Sequence, residues 1–177
     1  MKFFKLFKNV FEKVYAVLAP IDKQAINAGC TIGKDNYIAS HFWDSAEPYL
    51  ISIGNNCQIT SGVKMFTHGG GGGVRYIDPY FDFFGKVEIG DFVYLGTNSL
   101  IMSGVTIGSH VIVAAGSVVT KSIPSNVVVG GNPAKIICTI DEFYAKNKKY
   151  NLSTKGLSYL EKRKILLNAD ESKFVKK

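Results

Sequence analysis

Three histidines are the side chains of this chain best suited to moving a proton near neutral pH, because an unperturbed imidazole has a pKa of about 6.5. They are His41, His68 and His110. His110 lies inside a repeat unit, where we expect a solvated corner, and His41 lies in an irregular stretch that ends at Asp44. His68 ends the segment MFTHGG, where the chain leaves its repeat for the loop 69–85. This position makes His68 the leading candidate for a general base.

A repeat of six residues organises the chain around these histidines. Aliphatic residues recur every six positions in two runs, and a column of mostly small or β-branched residues stands two positions earlier. The first column is Ile53, Ile59, Met65, Ile89, Leu95, Ile101, Ile107, Val113 and Val119; the second is Ile51, Cys57, Val63, Val87, Val93, Ser99, Val105, Val111 and Ser117. A period of six fits neither a helix nor a simple alternating strand. It predicts short strands joined by bends, three to a coil, stacked into an all-β solenoid that buries both columns.

The pattern divides the chain into three parts. The solenoid is expected over 30–140, with the loop 69–85 projecting from it, and we expect the strand ladder to stop at Pro133. Residues 141–177 become rich in Lys, Glu, Leu and Tyr and predict a helical extension. Within it, Ser158 and Glu161 have the spacing of a capping box that opens a helix running to about residue 168. A helix at the open end of a solenoid would cap it.

The segment 1–29 carries a wide apolar stripe at helical spacing together with lysines at positions 2, 5, 8 and 13. The lysines interrupt what would have to be the apolar core of a signal peptide. An amphipathic helix is expected, either packed on its own protein or lying on an anionic membrane surface. Both alternatives stay open.

Charge and cysteine content narrow the function classes further. The formal charge is +7, with +3 in residues 1–30, −1 in 31–140 and +5 in 141–177. A nearly neutral central body does not fit a nucleic-acid-binding face. The three cysteines include no CxxC motif and indicate neither a disulfide framework nor a zinc site, so a reduced, cytoplasmic protein is expected.

The repeat, the histidine of MFTHGG, the loop after it and the closing segment IGSHVIVAAGSVVTKSIPSNVVVGGNPAKI resemble the left-handed β-helix, hexapeptide-repeat acyltransferases. Within that superfamily the chain is most similar to sugar and polysaccharide O-acetyltransferases of the galactoside, maltose and capsule type. The resemblance implies a left-handed parallel β-helix, a homotrimer, and acetyl-CoA in the groove between neighbouring subunits. It implies no metal.

Position and resemblance together assign His68 as the general base. A sugar hydroxyl is a poor nucleophile at neutral pH, and its proton must be accepted as it attacks the thioester carbonyl. No acyl-enzyme is required, and backbone N–H groups beside glycines are candidates for stabilising the oxyanion. Polysaccharide-modifying relatives often have Asp directly after this histidine, whereas this chain has Gly69. Either another carboxylate or the backbone must then orient the ring.

The resemblance also assigns the substrates' binding residues. For acetyl-CoA, the matching positions lie beside the pantetheine arm and near the adenosine and its phosphates, where lysines would pair with phosphate. They are Gly96, Thr97, Ala115, Thr120, Lys121 and Lys135. The acceptor residues are assigned as Ser40, His41, Asp44 and Tyr94. Small residues among these would also suit tight coil packing.

The loop 69–85 opens with five glycines, Gly69 to Gly73, and continues with an aromatic segment. No strand-to-helix context or following Lys-Ser/Thr is present, so a nucleotide-binding loop is not predicted. We interpret the glycines as a hinge. The aromatic residues either cover the active site or simply pack the loop down.

Four other functions fit the same scaffold less well. They are an N-acetyltransferase of an amino sugar, an N-acetyltransferase of an antibiotic, a non-catalytic solenoid, and a zinc enzyme of the carbonic anhydrase branch. The last requires three histidine ligands, and no histidine follows His68 at four or five residues. Nothing in the sequence separates an amine acceptor from a hydroxyl acceptor.

Overall fold

The structure is a computed structural model that describes residues 19–44 and 46–176. Most of the predicted N-terminal amphipathic helix therefore lies outside the described residues. The chain divides into two compact units, 1–140 and 141–177, and each is described by itself. The described part of the first unit opens with helix α1 (Ile21–Ala28), which ends at Gly29 in a left-handed conformation, with φ 116°.

Thirteen short strands build the described part of the first unit, and the chain visits three sheets in rotation. The strands are β1 (Thr31–Ile32), β2 (Tyr37–Ile38), β3 (Ile51–Ile53), β4 (Gln58–Ile59), β5 (Lys64–Met65), β6 (Val87–Ile89), β7 (Tyr94–Leu95), β8 (Leu100–Ile101), β9 (Thr106–Ile107), β10 (Ile112–Val113), β11 (Val118–Val119), β12 (Val127–Gly131) and β13 (Ala134–Thr139). The strand order is β1-β3-β6-β9 in sheet I, β13-β12-β10-β7-β4-β2 in sheet II and β11-β8-β5 in sheet III. All pairs are parallel except β12 with β13.

One passage through sheets I, II and III is called a circuit here, and a full circuit takes eighteen residues. Leu95 pairs with Val113, and Ile101 pairs with Val119, each eighteen positions further along the chain. The loop 69–85 doubles this interval, so Met65 pairs with Ile101. The sheets are parallel and in register, as the six-residue repeat predicts.

The two predicted columns form most of the core, which also includes Ala25, Phe42, Trp43 and Val129. All eighteen side chains of the columns are buried, none more than 4% exposed. Burial of a Val, Leu or Ile side chain contributes about 1.5–3 kcal/mol, and a single circuit could not provide that environment alone. Cys57 fills a small inward position, as predicted.

The first corner, where the chain passes from sheet I to sheet II, carries a ladder of polar side chains. Asn55 Oδ1 accepts from the Lys34 backbone N–H at 2.8 Å, and Asp91 Oδ1 accepts from that of Asn55 at 2.6 Å. Ser109 Oγ and Ser125 Oγ repeat the contact on the next two circuits, each at 3.0 Å. The residues that follow adopt left-handed conformations with φ of 55–66°: Asp35, Asn56, Phe92, His110 and Asn126.

One prediction about the end of the repeat is wrong. Pro133 does not stop the ladder, because the chain turns at Asn132-Pro133 and returns as β13, antiparallel to β12. Val129 of β12 is still inside the core, whereas Ile136 and Ile137 of β13 are more than half exposed. A six-residue period describes parallel circuits and contains no signal for a reversal.

The second unit contains two α-helices. Helix α2 (Ile140–Asn147) begins at the boundary between the two units, and helix α3 (Tyr159–Leu167) follows a short 3-10 turn and an extended stretch. The Ser158 and Glu161 side chains form the predicted capping box at the start of α3. Among the described residues, no helix is long and apolar enough to span a membrane.

Candidate functional site

His68 lies at the third corner, where the chain leaves sheet III before re-entering sheet I. It follows β5 and pairs with Phe84 in an isolated antiparallel bridge, while the Gly85 N–H donates to the Thr67 carbonyl oxygen at 2.7 Å. These contacts hold the two ends of the loop 69–85 together. The repeat therefore supplies a rigid base for His68, and the loop supplies the surface beside it.

A carboxylate contacts the His68 ring. Glu47 Oε2 and Oε1 lie 3.1 and 3.2 Å from His68 Nδ1. Glu47 belongs to the preceding circuit and lies just before the 3-10 turn Pro48–Leu50. The Thr67 hydroxyl and the His68 ring both hold the pKa of the Glu47 carboxyl below its ordinary value. An ionised carboxylate can only accept, so the proton resides on Nδ1 and Nε2 is the nitrogen free to take another.

A cleft of about 290 Å³ opens beside this pair. Its lining combines ionisable side chains, glycine backbone and one aromatic ring: Glu47, His68, Gly69, Gly71, Gly72, Arg75, Asp82 and Phe84. Arg75 Nε donates to the Phe81 carbonyl oxygen at 3.2 Å, and its guanidinium lies 3.9 Å from Asp82. These contacts fold the loop back on itself, so that its first and last parts form opposite walls.

The glycine run has a packing role at its start. A Cβ at Gly69 would lie 2.0 Å from the Phe83 ring, so a larger residue here would displace that ring. Gly71–Gly73 form a 3-10 turn. Hinge motion of this run stays a prediction.

None of the four residues assigned to the acceptor lines the cleft. Ser40 is buried and its hydroxyl donates to the Val63 carbonyl oxygen at 2.8 Å. His41 Nε2 lies 3.3 Å from the Gln24 side-chain oxygen, and Asp44 is exposed nearby. Tyr94 lies on β7 in sheet II. Within one chain these residues are not gathered around His68, and their assignment stays a prediction.

The residues assigned to acetyl-CoA fall on two corners. Gly96, Thr97 and Ala115 lie on successive circuits at the second corner, between sheets II and III, where the Gly116 N–H donates to the Thr97 carbonyl oxygen at 2.8 Å. A Cβ at Gly96 would lie 2.5 Å from the Ala115 backbone nitrogen, so circuit stacking alone requires this glycine.

The lysines extend these two corners. Gly130 lies directly above Ala114 of the second corner, because a Cβ on this glycine would be 3.1 Å from Ala114 Cβ. Lys135 pairs with Gly130 and therefore lies at the same corner. Thr120 and Lys121 instead follow β11 at the third corner. That corner also carries His68, two strand spacings or about 10 Å away along the stack. Both lysines are exposed.

Sequence reasoning named the histidine but missed its partner Glu47 and two further charged residues of the cleft, Arg75 and Asp82. Glu47 could have been found from the length of the first circuit. Tyr37 pairs with Gln58, twenty-one positions later, and Glu47 precedes His68 by the same interval. Arg75 and Asp82 lie within an irregular loop, where no period applies.

The cysteines and the remaining histidine of the described residues do not form a second centre. Cys30, Cys57 and Cys138 are free thiols, and burial raises the pKa of Cys30 to about 11 and also raises that of Cys57. Thiols of this kind are poor nucleophiles at neutral pH. His110 is exposed and stacks on Phe92 with ring centroids 5.0 Å apart. Among residues 19–44 and 46–176, no cluster of three His, Cys, Asp or Glu side chains could hold a metal ion.

Comparison with known proteins gives consistent matches. Residues 86–121 match the family described as bacterial transferase hexapeptide (six repeats). Protein CapG of Staphylococcus aureus is 52% identical over 124 residues, which cover 70% of this chain and 72% of CapG. The galactoside O-acetyltransferase of Escherichia coli is 32% identical over 133 residues, covering 69% of this chain and 62% of that protein.

Among solved structures, a hexapeptide-repeat acetyltransferase of Vibrio cholerae O1 biovar eltor complexed with acetyl coenzyme A matches with a TM-score of 0.55 and 29% identity. The match covers 63% of this chain and 60% of that chain. This chain therefore spans less than two thirds of the length of two of the three proteins compared.

Proposed function

The chain belongs to the hexapeptide-repeat transferase family, and on that premise we propose that it transfers the acetyl group of acetyl-CoA to a hydroxyl group of a sugar or polysaccharide precursor. The observation that carries this proposal is the Glu47–His68 pair, which opens onto a polar cleft at the loop exit. The relatives supply the donor, because one matching structure holds acetyl coenzyme A and one matching sequence is named a galactoside O-acetyltransferase.

In this mechanism His68 acts as the general base. Its Nε2 accepts the proton of the acceptor hydroxyl while that oxygen attacks the thioester carbonyl carbon. The tetrahedral intermediate then collapses: the carbon–sulfur bond breaks, and the coenzyme thiolate takes the proton back from the imidazolium. Glu47 keeps Nδ1 protonated throughout and stabilises the imidazolium while it exists. The Gly69–Gly72 backbone is a candidate source of N–H groups for the oxyanion.

The cleft is suited to a saccharide. Its lining offers carboxylates and a guanidinium for hydroxyl groups, and the Phe84 ring for the apolar face of a sugar. The similarity to a galactoside O-acetyltransferase and the polar lining of the cleft point to the same class of acceptor. We assign the chain to polysaccharide biosynthesis on this basis.

The proposed active enzyme is a homotrimer of left-handed parallel β-helices with the site between subunits. What supports a shared site is the separation of the coenzyme residues. Gly96, Thr97 and Ala115 lie on the second corner, whereas His68 lies on the third corner of the same chain. A neighbouring chain that docks its second corner beside His68 would bring both sets together. Lys121, on the third corner, would then face the same coenzyme from the other side.

The test is thiol release from acetyl-CoA with a panel of sugars, sugar nucleotides, amino sugars and chloramphenicol-like compounds. The type of bond formed is then read from the product. An O-acetyl ester is labile to alkaline hydroxylamine, whereas an N-acetyl amide is not. Turnover on a saccharide with an ester product supports the proposal. Turnover that gives only amide products would replace it with the N-acetyltransferase alternative.

A further inference from the structure

We infer that Thr67 is a positioning residue for acetyl transfer, because its buried hydroxyl fixes the carboxylate of Glu47 and through it the tautomer of His68. The inference rests on the proposed function for its kinetic consequence. The contacts among Thr67, Glu47 and His68 lie within one chain and do not depend on which acceptor is used.

Thr67 and Glu47 are joined by two hydrogen bonds. The Thr67 hydroxyl donates to Glu47 Oε2, and Thr67 Oγ1 in turn accepts from the Glu47 backbone N–H at 2.7 Å. Thr67 therefore binds the carboxylate and the main chain of a single residue. A glutamate has three side-chain torsions and would otherwise sample many positions, so this double contact selects one of them.

The position of Thr67 itself is fixed from both sides. Its side chain is fully buried, and its carbonyl oxygen accepts from the Gly85 N–H at the return of the loop. His68 follows directly in the chain. The hydroxyl thus lies at a fully buried point beside the ring that Glu47 must orient. The side chains of Glu47 and His68, in contrast, are 22% and 43% exposed.

The Thr67 hydroxyl also affects the charge of the Glu47 carboxyl group. A hydroxyl that donates to a carboxylate favours the ionised form, which can accept from Nδ1–H. It leaves the second oxygen, Oε1, within 3.2 Å of the same nitrogen. Without the hydroxyl, Glu47 is free to turn toward water, and the neutral ring can carry its proton on either nitrogen. A ring with the proton on Nε2 cannot accept one there.

The experiment compares Thr67→Val, which removes only the hydroxyl function at nearly constant volume, with Thr67→Ser, which keeps it. The matched control is Thr106→Val, because the Thr106 hydroxyl also donates to a glutamate, Glu88, at 3.2 Å on sheet I. Each protein is labelled with ¹⁵N-histidine, and the tautomer of His68 is read by NMR at about pH 8, above the ordinary imidazole pKa. The steady-state kcat and the KM for acetyl-CoA are measured on the same samples.

We expect wild type, Thr67→Ser and Thr106→Val to hold His68 as the Nδ1–H tautomer, and Thr67→Val to give a mixture. The kcat of Thr67→Val should fall by about tenfold to a hundredfold, the usual range for losing a hydrogen bond to a charged group, with the KM for acetyl-CoA unchanged. If Thr67→Ser keeps the kcat and tautomer of wild type, the changes in Thr67→Val are due to the loss of the hydroxyl.

Two results would overturn the inference: an unchanged His68 tautomer in Thr67→Val, or a Thr67→Ser variant as impaired as Thr67→Val. If no acceptor on the panel is acetylated, the proposed function fails, and the tautomer measurement still decides the role of Thr67. If Thr67→Val does not fold, Thr67→Ala gives the same readouts without the hydroxyl and without added atoms.

Discussion

The first and third corners of the circuit carry the same kinds of polar side chain and use them in different ways. At the first corner, the side chains of Asn55, Asp91 and Ser109 accept from backbone N–H groups of neighbouring circuits. At the third corner, Thr67 and Glu47 direct their side-chain groups toward each other and toward His68. One arrangement satisfies the backbone, and the other orders a ring that remains accessible.

The difference follows from what each corner must do. A corner that repeats on every circuit contributes stability, because each repeat pairs a backbone N–H with a side-chain acceptor of the neighbouring circuit. A corner interrupted by the loop 69–85 is released from that repeat, since the loop ends are held by their own backbone contacts. Its polar side chains are then available for chemistry. Substitutions at the two corners should therefore separate activity from stability.

The largest expected effect is on turnover when the base is removed. His68→Ala should lower kcat by about 10²–10⁴-fold, the range for a general base, with little change in unfolding temperature because the ring is partly exposed. The matched control is His110→Ala at the first corner, whose exposed ring stacks on Phe92. Equal kcat values for wild type and His68→Ala in a thiol-release assay would remove His68 from the mechanism.

A smaller loss of turnover is expected from Glu47→Gln. The amide is nearly isosteric, yet it cannot stabilise the imidazolium as a carboxylate does, so kcat should fall by about tenfold to a hundredfold. The KM for acetyl-CoA should stay within about twofold, because Glu47 orients the base rather than binding the coenzyme. A change confined to KM would contradict this role.

Asp91→Ala should affect stability rather than turnover. The substitution leaves the backbone N–H of Asn55 without its 2.6 Å acceptor and removes a second contact to the Asn55 side chain at 2.9 Å. We expect a loss of about 1–3 kcal/mol in the free energy of unfolding, measured by denaturant titration. The kcat per folded molecule should equal that of wild type. A loss of kcat in folded protein would show that the first corner is not purely structural.

A modest effect on coenzyme affinity is expected from Lys121→Ala. An exposed lysine that pairs with phosphate contributes up to about 1 kcal/mol, so the KM for acetyl-CoA should rise about two- to fivefold at constant kcat. Added salt should reduce the difference between the variant and wild type. Lys34→Ala, at the first corner, is the control with no expected change. The assignment of Lys121 fails if the two variants have the same KM.

The smallest effect concerns acid stability. The pKa of Glu47 is lowered in the folded protein, first by the Thr67 hydroxyl and then by His68, so this group stabilises the fold above its unfolded pKa. That contribution is lost as pH falls through the lowered pKa. The unfolding temperature of wild type should therefore fall more steeply below pH 4.5 than that of Glu47→Gln. Parallel curves would show that Glu47 is not held by these contacts.

The repeat was predictable because each circuit imposes the same requirement on the sequence. Every inward position needs an aliphatic or small side chain, so the columns from Ile51 to Val119 could be read directly. His68 was predictable because it interrupts that repeat. The return of the chain as β13 was not predictable, because β13 pairs antiparallel with β12. A repeat of parallel circuits contains no information about such a reversal.

The partners of His68 were missed for a related reason. Glu47 lies in an irregular stretch before Pro48, and its contact with His68 depends on how the incomplete first circuit stacks on the second. Ser40 is the opposite case, because the sequence predicts it at the acceptor site, whereas its hydroxyl donates to the Val63 carbonyl oxygen. Side-chain contacts between circuits depend on exact register, which a periodic pattern gives only where the period is unbroken.

The central claim is that one chain supplies His68 and a neighbouring chain supplies the second corner. It is tested most directly by mixing two inactive chains. His68→Asn removes the base, and Ala115→Trp places a large ring over the exposed second corner. The two chains are co-expressed with different tags, and the mixed oligomer is purified through both tags and assayed by thiol release. A cyclic trimer that contains both chains always has two copies of one and one copy of the other, and only one of its three sites then joins two intact halves. Activity should therefore recover to about a third of wild type. Mixed oligomers as inactive as either parent would contradict the account.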